Sequence, residues 1–247
     1  LGLMFFATAF DFSSVDFLEK LDVPFYKIAS GDLKNTPFLK YIARTGKPAL
    51  LSTGGGTMED VQRAYDVFTA ENPNLAVLQC TAVYPCEPEE MNLNVITTFR
   101  EKFPHNVIGL SDHQSGIAMA LVAFTLGARI IEKHFTLNRA WRGTDHAFSL
   151  APVGLSKLVR DLRRARAALG SSEKSVMEIE KKSLYKMGKK LVAACDLKTG
   201  TVLTEAHIAI KSPDDGLPPY ELEHVIGHTL KADVQKDENI SFELLER

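Results

Sequence analysis

The sequence predicts an α/β protein: a parallel sheet of the (β/α)8, or TIM, barrel class followed by a small, mostly β domain. Three observations carry that expectation. Short apolar runs alternate strictly with stretches of helical period up to Gly170. Nearly every apolar run stops at small or polar residues. Beyond Gly170 the composition changes, and a β-turn-β pattern appears twice. Strands buried on both faces and alternating with helices make a parallel sheet covered by helices, either doubly wound or closed. Regular spacing, with polar residues at the ends of most strands and not only at one switch point, favours the barrel.

In chain order, six runs read as strands: "MFFATAF" (4–10), "FYKIAS" (25–30), "PALLST" (48–53), "LAVLQCT" (75–81), "VIGLSD" (107–112) and "RIIEKHF" (129–135). Between them, helical periodicity covers 14–21, 38–46, 58–70, 95–103 and 116–127. A sixth helix over 153–170 directs Val153, Leu155, Leu158, Val159 and Leu162 toward a core, with Arg160, Arg163 and Arg164 outward as a solvated face. Six βα units are countable where a closed barrel needs eight. The expectation is therefore that two N-terminal units lie outside this chain, which leaves its sheet open and its site incomplete. The barrel part is expected over 1–170, a polar linker arm over 171–189 and the small domain over 190–247. In that domain "DLKTGTVLT" (196–204) and "DVQKDENIS" (233–241) form a weak repeat, each with an acidic start, a turn and a returning apolar residue, as in a small β fold with pseudo-twofold symmetry.

Composition narrows the function classes. The 247 residues are 45% hydrophobic, enough for a sizeable core. Lys and Arg number 29 against 31 Asp and Glu, a net charge of -2, so no basic field draws the chain to nucleic acid or an anionic membrane. Small molecules or a second copy are the expected partners. Three sparse cysteines, Cys80, Cys86 and Cys195, argue for a reducing compartment and ordinary packing roles, so a cytoplasmic location is expected. No apolar run reaches membrane-span length, and "LGLMFFATAF" lacks the basic start of a signal peptide.

In a parallel barrel the reacting groups sit at the C-terminal ends of strands. Alternation puts Ser111 and His113 on one side of their strand, and Glu132 and His134 on one side of the next, with Lys133 opposite. Neighbouring strands run ~4.8 Å apart, so the two imidazoles can reach one ion. Two nitrogens with nearby oxygens suit an open octahedral site for Mn²⁺ or Mg²⁺ better than closed zinc. The alternative is a pair of histidines that only hydrogen-bond locally. Lys27 points into the barrel, where a lysine needs an anion, and Ser30, Ser52 and Ser111 ring the same mouth, as for a phosphate or carboxylate. Ser30 or Asp32 acting only as a helix cap, with a snorkelling Lys27, is the competing account. "STGGGTMED" offers backbone N–H groups before a helix but lacks a Walker lysine. Tyr84 either meets a polyol substrate or packs on Pro85. Asp145 and His146, in the polar loop after His134, face the same mouth or stand clear of it.

The phrases "FYKIASGD", "LLSTGGG", "LQCTAVYP", "GLSDHQSG", "IIEKHFTL" and "GTDHAFSL", in this order, resemble the sialic acid (N-acetylneuraminate) synthases over essentially the whole chain. The tail from about Lys190 resembles that family's antifreeze-like (SAF) domain. The resemblance implies a metal-dependent condensation of phosphoenolpyruvate with N-acetylmannosamine, or its 6-phosphate, giving N-acetylneuraminic acid or its 9-phosphate and inorganic phosphate. It implies that His113 and His134 hold the divalent ion. Lys27, Ser30, Ser52 and Ser111 would bind phosphoenolpyruvate, Tyr84 and Asp145 the sugar, and Asp32 would stand near the sugar and the attacking water. It further implies a domain-swapped homodimer, and further catalytic residues in the two units expected upstream. Three positions depart from the family pattern: Ala82 for an asparagine, Ser212 for an arginine and Asp32 for a glutamate. They bear on which amino sugar is used, so a legionaminic or pseudaminic acid synthase is the near alternative. A non-catalytic remnant that binds a glycan or partner is the distant one.

Overall fold

The computed structural model describes residues 2–247, which divide after Gly170 into two compact units, the second being Ser171–Arg247. In the first unit helix and strand alternate: α1 (Phe12–Lys20), β1 (Tyr26–Ile28), α2 (Thr36–Ala43), β2 (Ala49–Ser52), α3 (Met58–Thr69), β3 (Leu75–Cys80), α4 (Val95–Lys102), β4 (Ile108–Asp112), α5 (Ala118–Leu126), β5 (Ile130–Lys133) and α6 (Pro152–Leu169). The five strands pair in parallel in the order β1-β2-β3-β4-β5. This is an incomplete (β/α)8 barrel: a sequential arc of parallel strands, open at both edges, with helices between them.

Local chemistry sets the boundaries. Asp11 starts α1 by accepting from the Ser14 N–H at 2.6 Å. Thr57 and Asp60 cap α3 reciprocally, each side chain accepting from the other's N–H. Gly127, at φ 113°, stops α5 in a left-handed turn that a side chain would resist, and so aims β5 back into the sheet. The helix-facing side of the strands, with Tyr26, Ile28, Leu51, Val77 and Leu110, packs with Phe38, Ile42, Phe68, Ile96 and Phe99 into one continuous core.

Two expectations need correction. The run 4–10 is not a strand. It makes a single parallel bridge, Thr8 to Lys27, while Leu3, Met4 and Phe5 are exposed. It lies at the free edge beside β1, where nothing pairs with its other side, so its apolar residues alone do not hold it in the ladder. The apolar stripe of α6 is likewise only partly used. Leu158 is buried and Leu162 packs beside it, but Val153, Leu155 and Val159 are exposed, because α6 covers the last strand of an open sheet.

In the second unit the polar arm contains a helix, α7 (Lys181–Met187). It is followed by β6 (Lys190–Ala193), β7 (Ile208–Lys211), α8 (Leu222–Val225), β8 (Thr229–Leu230) and β9 (Leu245–Glu246), with β6 antiparallel to β7 and β8 to β9. The repeat folds as a twofold pair of hydrogen-bonded turns. Asp196 accepts from the Lys236 N–H at 2.8 Å, and its counterpart Asp233 accepts from the Thr199 N–H at 2.8 Å. Leu197 and Val234 exchange both backbone bonds across the axis. Gly200 and Asp237 hold equivalent left-handed turns, donating to Leu230 and Ala193. Leu191, Leu203, Leu230 and Ile240 fill the small core between the halves.

Candidate active site

Register decides which strand ends converge. Ser111 lies opposite Cys80 and Glu132, and Asp112 opposite Lys133. Ser111, His113, Glu132 and His134 therefore share the concave side of the sheet, and Lys27 and Ser52 reach it from β1 and β2. A cavity of about 670 Å³ opens there. Lys27, Ser30, Ser52, Tyr84, Ser111, His113, His134 and Asp145 all line it. Asp32 does not. It sits in the single turn Ser30–Asp32, where its carboxylate accepts from the Asn35 amide at 3.1 Å. Glu132, Thr8, Phe10 and Thr144 also face the cavity. Of these, Glu132 was already marked by alternation with His134, whereas Thr8 and Phe10 come from an irregular segment that carries no local signal.

The two imidazoles are fixed by different partners. The Nδ1 of His113 lies 2.9 Å from the Thr81 carbonyl, which can only accept, so Nδ1 carries the proton and Nε2 keeps its lone pair. The Nδ1 of His134 faces the Asp145 carboxylate at 3.5 Å. The two rings stand 5.3 Å apart, nearly perpendicular, and the Tyr84 ring lies over His113 at 4.0 Å. Burial, helped by the nearness of His134, holds the His113 pKa below the ordinary imidazole value, against the pull of the Thr81 carbonyl. His113 is accordingly neutral at neutral pH, with a free Nε2 lone pair.

The Lys27 side of the cavity is equally constrained. Lys27 is 6% exposed; its ammonium donates to the Ile28 carbonyl at 3.0 Å and stands 3.7 Å from Glu132 Oε2. Burial lowers the Lys27 pKa and Glu132 raises it back, so the ammonium is under-compensated. Ser30 Oγ accepts from the Gly54 N–H at 3.0 Å. A side chain at Gly54 would come within 2.9 Å of Ser30 Oγ, so glycine permits this close approach. Among the described residues three buried side-chain polar atoms have no hydrogen-bond partner: Ser52 Oγ and Glu132 Oε2, both on residues lining the cavity, and His228 Nδ1 in the second unit. An unmet buried hydroxyl or carboxylate oxygen costs ~1–3 kcal/mol, which marks the place where a ligand is expected to complete the bonding.

Among the described residues no cluster of three or more His, Cys, Asp or Glu side chains stands ready around one point. The donor set, two imidazoles with carboxylate and hydroxyl oxygens nearby, fits a divalent ion whose other positions are left to oxygens.

Residues 1–174 match the profile of the NeuB family, and residues 190–246 that of the SAF domain. The chain belongs to the NeuB family. It is 38% identical over 246 residues to human N-acetylneuraminate-9-phosphate synthase, an alignment spanning 99% of this chain and 68% of that one. To the N,N'-diacetyllegionaminic acid synthase of Campylobacter jejuni it is 36% identical over 242 residues, 97% of this chain and 72% of that one. Among solved structures, the N-acetylneuraminic acid synthetase of Leptospira borgpetersenii, in complex with citrate, superposes with a TM-score of 0.68 at 35% identity, over 73% of this chain and 63% of that one. A spore coat polysaccharide biosynthesis protein of Bacillus subtilis superposes with a TM-score of 0.66 at 32% identity, over 99% and 74%. A NeuB-family chain with a SAF domain thus presents its strand-end polar residues on one concave cavity.

Proposed function

We propose that this chain carries the condensing site of a nonulosonic acid synthase, joining phosphoenolpyruvate to an N-acetylated amino sugar. N-acetylmannosamine or its 6-phosphate is the first acceptor to test, the product being N-acetylneuraminic acid or its 9-phosphate. The observation that supports it best is one cavity holding an under-compensated Lys27, the unpartnered Ser52 hydroxyl and two imidazoles 5.3 Å apart, of which His113 presents a free Nε2 lone pair. A phosphorylated carboxylate brings negative charge to the first two, and a divalent ion held by the imidazoles would offer an electrophile to the aldehyde oxygen.

In this reading Lys27, Ser30, Ser52 and Ser111 hold the phosphate and carboxylate of phosphoenolpyruvate. An arriving anion restores full compensation to the buried ammonium, so its binding is strongest where Lys27 is protonated. His113 and His134 would hold Mn²⁺ or Mg²⁺, which when bound supplies Lewis-acid polarisation of the sugar aldehyde. Tyr84 and Asp145 wall the sugar side, and Asp32, one turn outside the cavity, is assigned to the approach of water. C3 of the enol forms a bond to the aldehyde carbon and the aldehyde oxygen takes up a proton. Water adds at C2, and the bond between C2 and the phosphate oxygen breaks to release inorganic phosphate.

The acceptor stays at the level of the amino-sugar class for a specific reason. Identity to the human 9-phosphate synthase, 38%, and to a legionaminic acid synthase, 36%, is nearly the same. The test is phosphate release from phosphoenolpyruvate by this chain, and by any longer form its gene encodes, with and without Mn²⁺ and each candidate sugar. Release that requires both additions is expected. Release without metal, or none with any N-acetylated sugar while Mn²⁺ is bound, overturns the reading.

A further inference from the structure

The helix-facing side of the same strand ends carries a second charged pair that the proposed chemistry does not use. Asp112 stands between Ser111 and His113, and Lys133 between Glu132 and His134, so alternation turns both side chains to the opposite face of the strands, while Asp112 also borders the cavity. They are register partners across β4 and β5. Lys133 Nζ donates to Asp112 Oδ2 at 2.9 Å, with the two side chains 4% and 0% exposed. Lys133 also donates to the Gln114 carbonyl, and Asp112 Oδ1 accepts from the Gln114 N–H at 2.8 Å. The residue directly after His113 is thus tied from both sides to the pair that joins the two strands.

Such a pair is a poor source of stability. Desolvating both charges roughly cancels their attraction, and well-packed apolar residues of similar volume serve a core as well or better. What the pair does supply is direction: a fixed register and a fixed exit angle for the backbone at two consecutive strand ends. We propose that Asp112 and Lys133 are a positioning pair, which sets the separation and ring orientation of His113 and His134 from behind the sheet. The inference rests on the proposed metal reading only for what the imidazoles are positioned to do.

The test replaces the pair by apolar residues, Asp112→Leu with Lys133→Met. Folding is followed by thermal melting, the His113 tautomer by long-range ¹H–¹⁵N correlation without metal, and Mn²⁺ binding by the free-ion electron paramagnetic resonance signal. The expected result is a melting temperature close to that of the unaltered protein, a mixture of His113 tautomers in place of the single Nδ1-protonated form, and Mn²⁺ affinity lowered ~10–100-fold, as for loss of other groups that orient metal ligands. Should the double variant not fold, Asp112→Asn keeps the side-chain shape and the acceptor for Gln114 and carries the same comparison. A folded variant with a single Nδ1 tautomer and Mn²⁺ affinity within twofold overturns the proposal. Failure of the unaltered protein to bind Mn²⁺ counts against the metal reading alone, because the tautomer comparison is made without metal.

Discussion

On the two faces of β4 and β5, consecutive residues are treated in opposite ways. On the outer face Asp112 and Lys133 are buried and fully paired with each other and with Gln114. On the concave face Ser52 Oγ and Glu132 Oε2 are buried without a hydrogen bond, and Glu132 Oε2 compensates Lys27 only loosely, across 3.7 Å. Charged residues at neighbouring strand ends, Glu132 and Lys133 adjacent in sequence among them, are open on one face and closed on the other. Satisfied polar groups fix geometry, whereas unsatisfied ones store binding capacity, and a strand-end site needs both.

The sharpest way to break this contrast is to remove the open side's ligands. His113→Ala or His134→Ala is expected to abolish metal-dependent turnover, and to cost more in Mn²⁺ affinity than the ~10–100-fold typical of a supporting group, while circular dichroism and melting change little. Near-normal turnover in either variant removes that histidine from the ligand set. On the closed side, Lys133→Met alone strands a carboxylate at 0% exposure and is expected to destabilise by ~3–5 kcal/mol in denaturant titration. A cost below about 1 kcal/mol would mean that the pair is looser in solution than in the fold described.

Lys27→Ala is expected to raise the KM for phosphoenolpyruvate by ~10–100-fold, the worth of a charge-assisted hydrogen bond of about 1.5–3 kcal/mol. An unchanged KM would take Lys27 out of the anion site. Ser52→Ala should raise that KM more modestly while leaving the melting temperature equal or higher, because it deletes a buried hydroxyl that the fold itself leaves unmet. A clear loss of stability would show that Ser52 has an internal partner.

The smallest effect is in pH. The His113 pKa is lowered in the folded chain, so between that value and about 6.5 the unfolded chain binds more protons. Its contribution to stability is complete above about pH 6.5 and is lost as pH falls through the folded value. Urea midpoints at pH 7.5 and 5.5 should therefore differ more for the unaltered protein than for His113→Gln. Equal differences would contradict a neutral, buried His113.

The sequence by itself determined the alternation of elements, the parallel class of the sheet and the polar ends of its strands, because these follow from periods of 2 and 3.6 and from where apolar runs stop. It also singled out Lys27, Ser111, His113 and His134 through alternation at strand ends, a local property, and left Ser30, Ser52, Tyr84 and Asp145 as candidates beside other readings. It misjudged 4–10, whose strand-like composition meets no second neighbour at an open edge, and the outer stripe of α6, which nothing in the described chain covers. Only the tertiary structure decided the rest. It set Asp32 outside the cavity and brought Thr8 and Phe10 into it from a segment without regular structure. It fixed the His113 tautomer through a carbonyl 32 residues away in sequence. It also joined Asp112 to Lys133, because inter-strand register is a long-range choice of the whole sheet that no window of sequence contains.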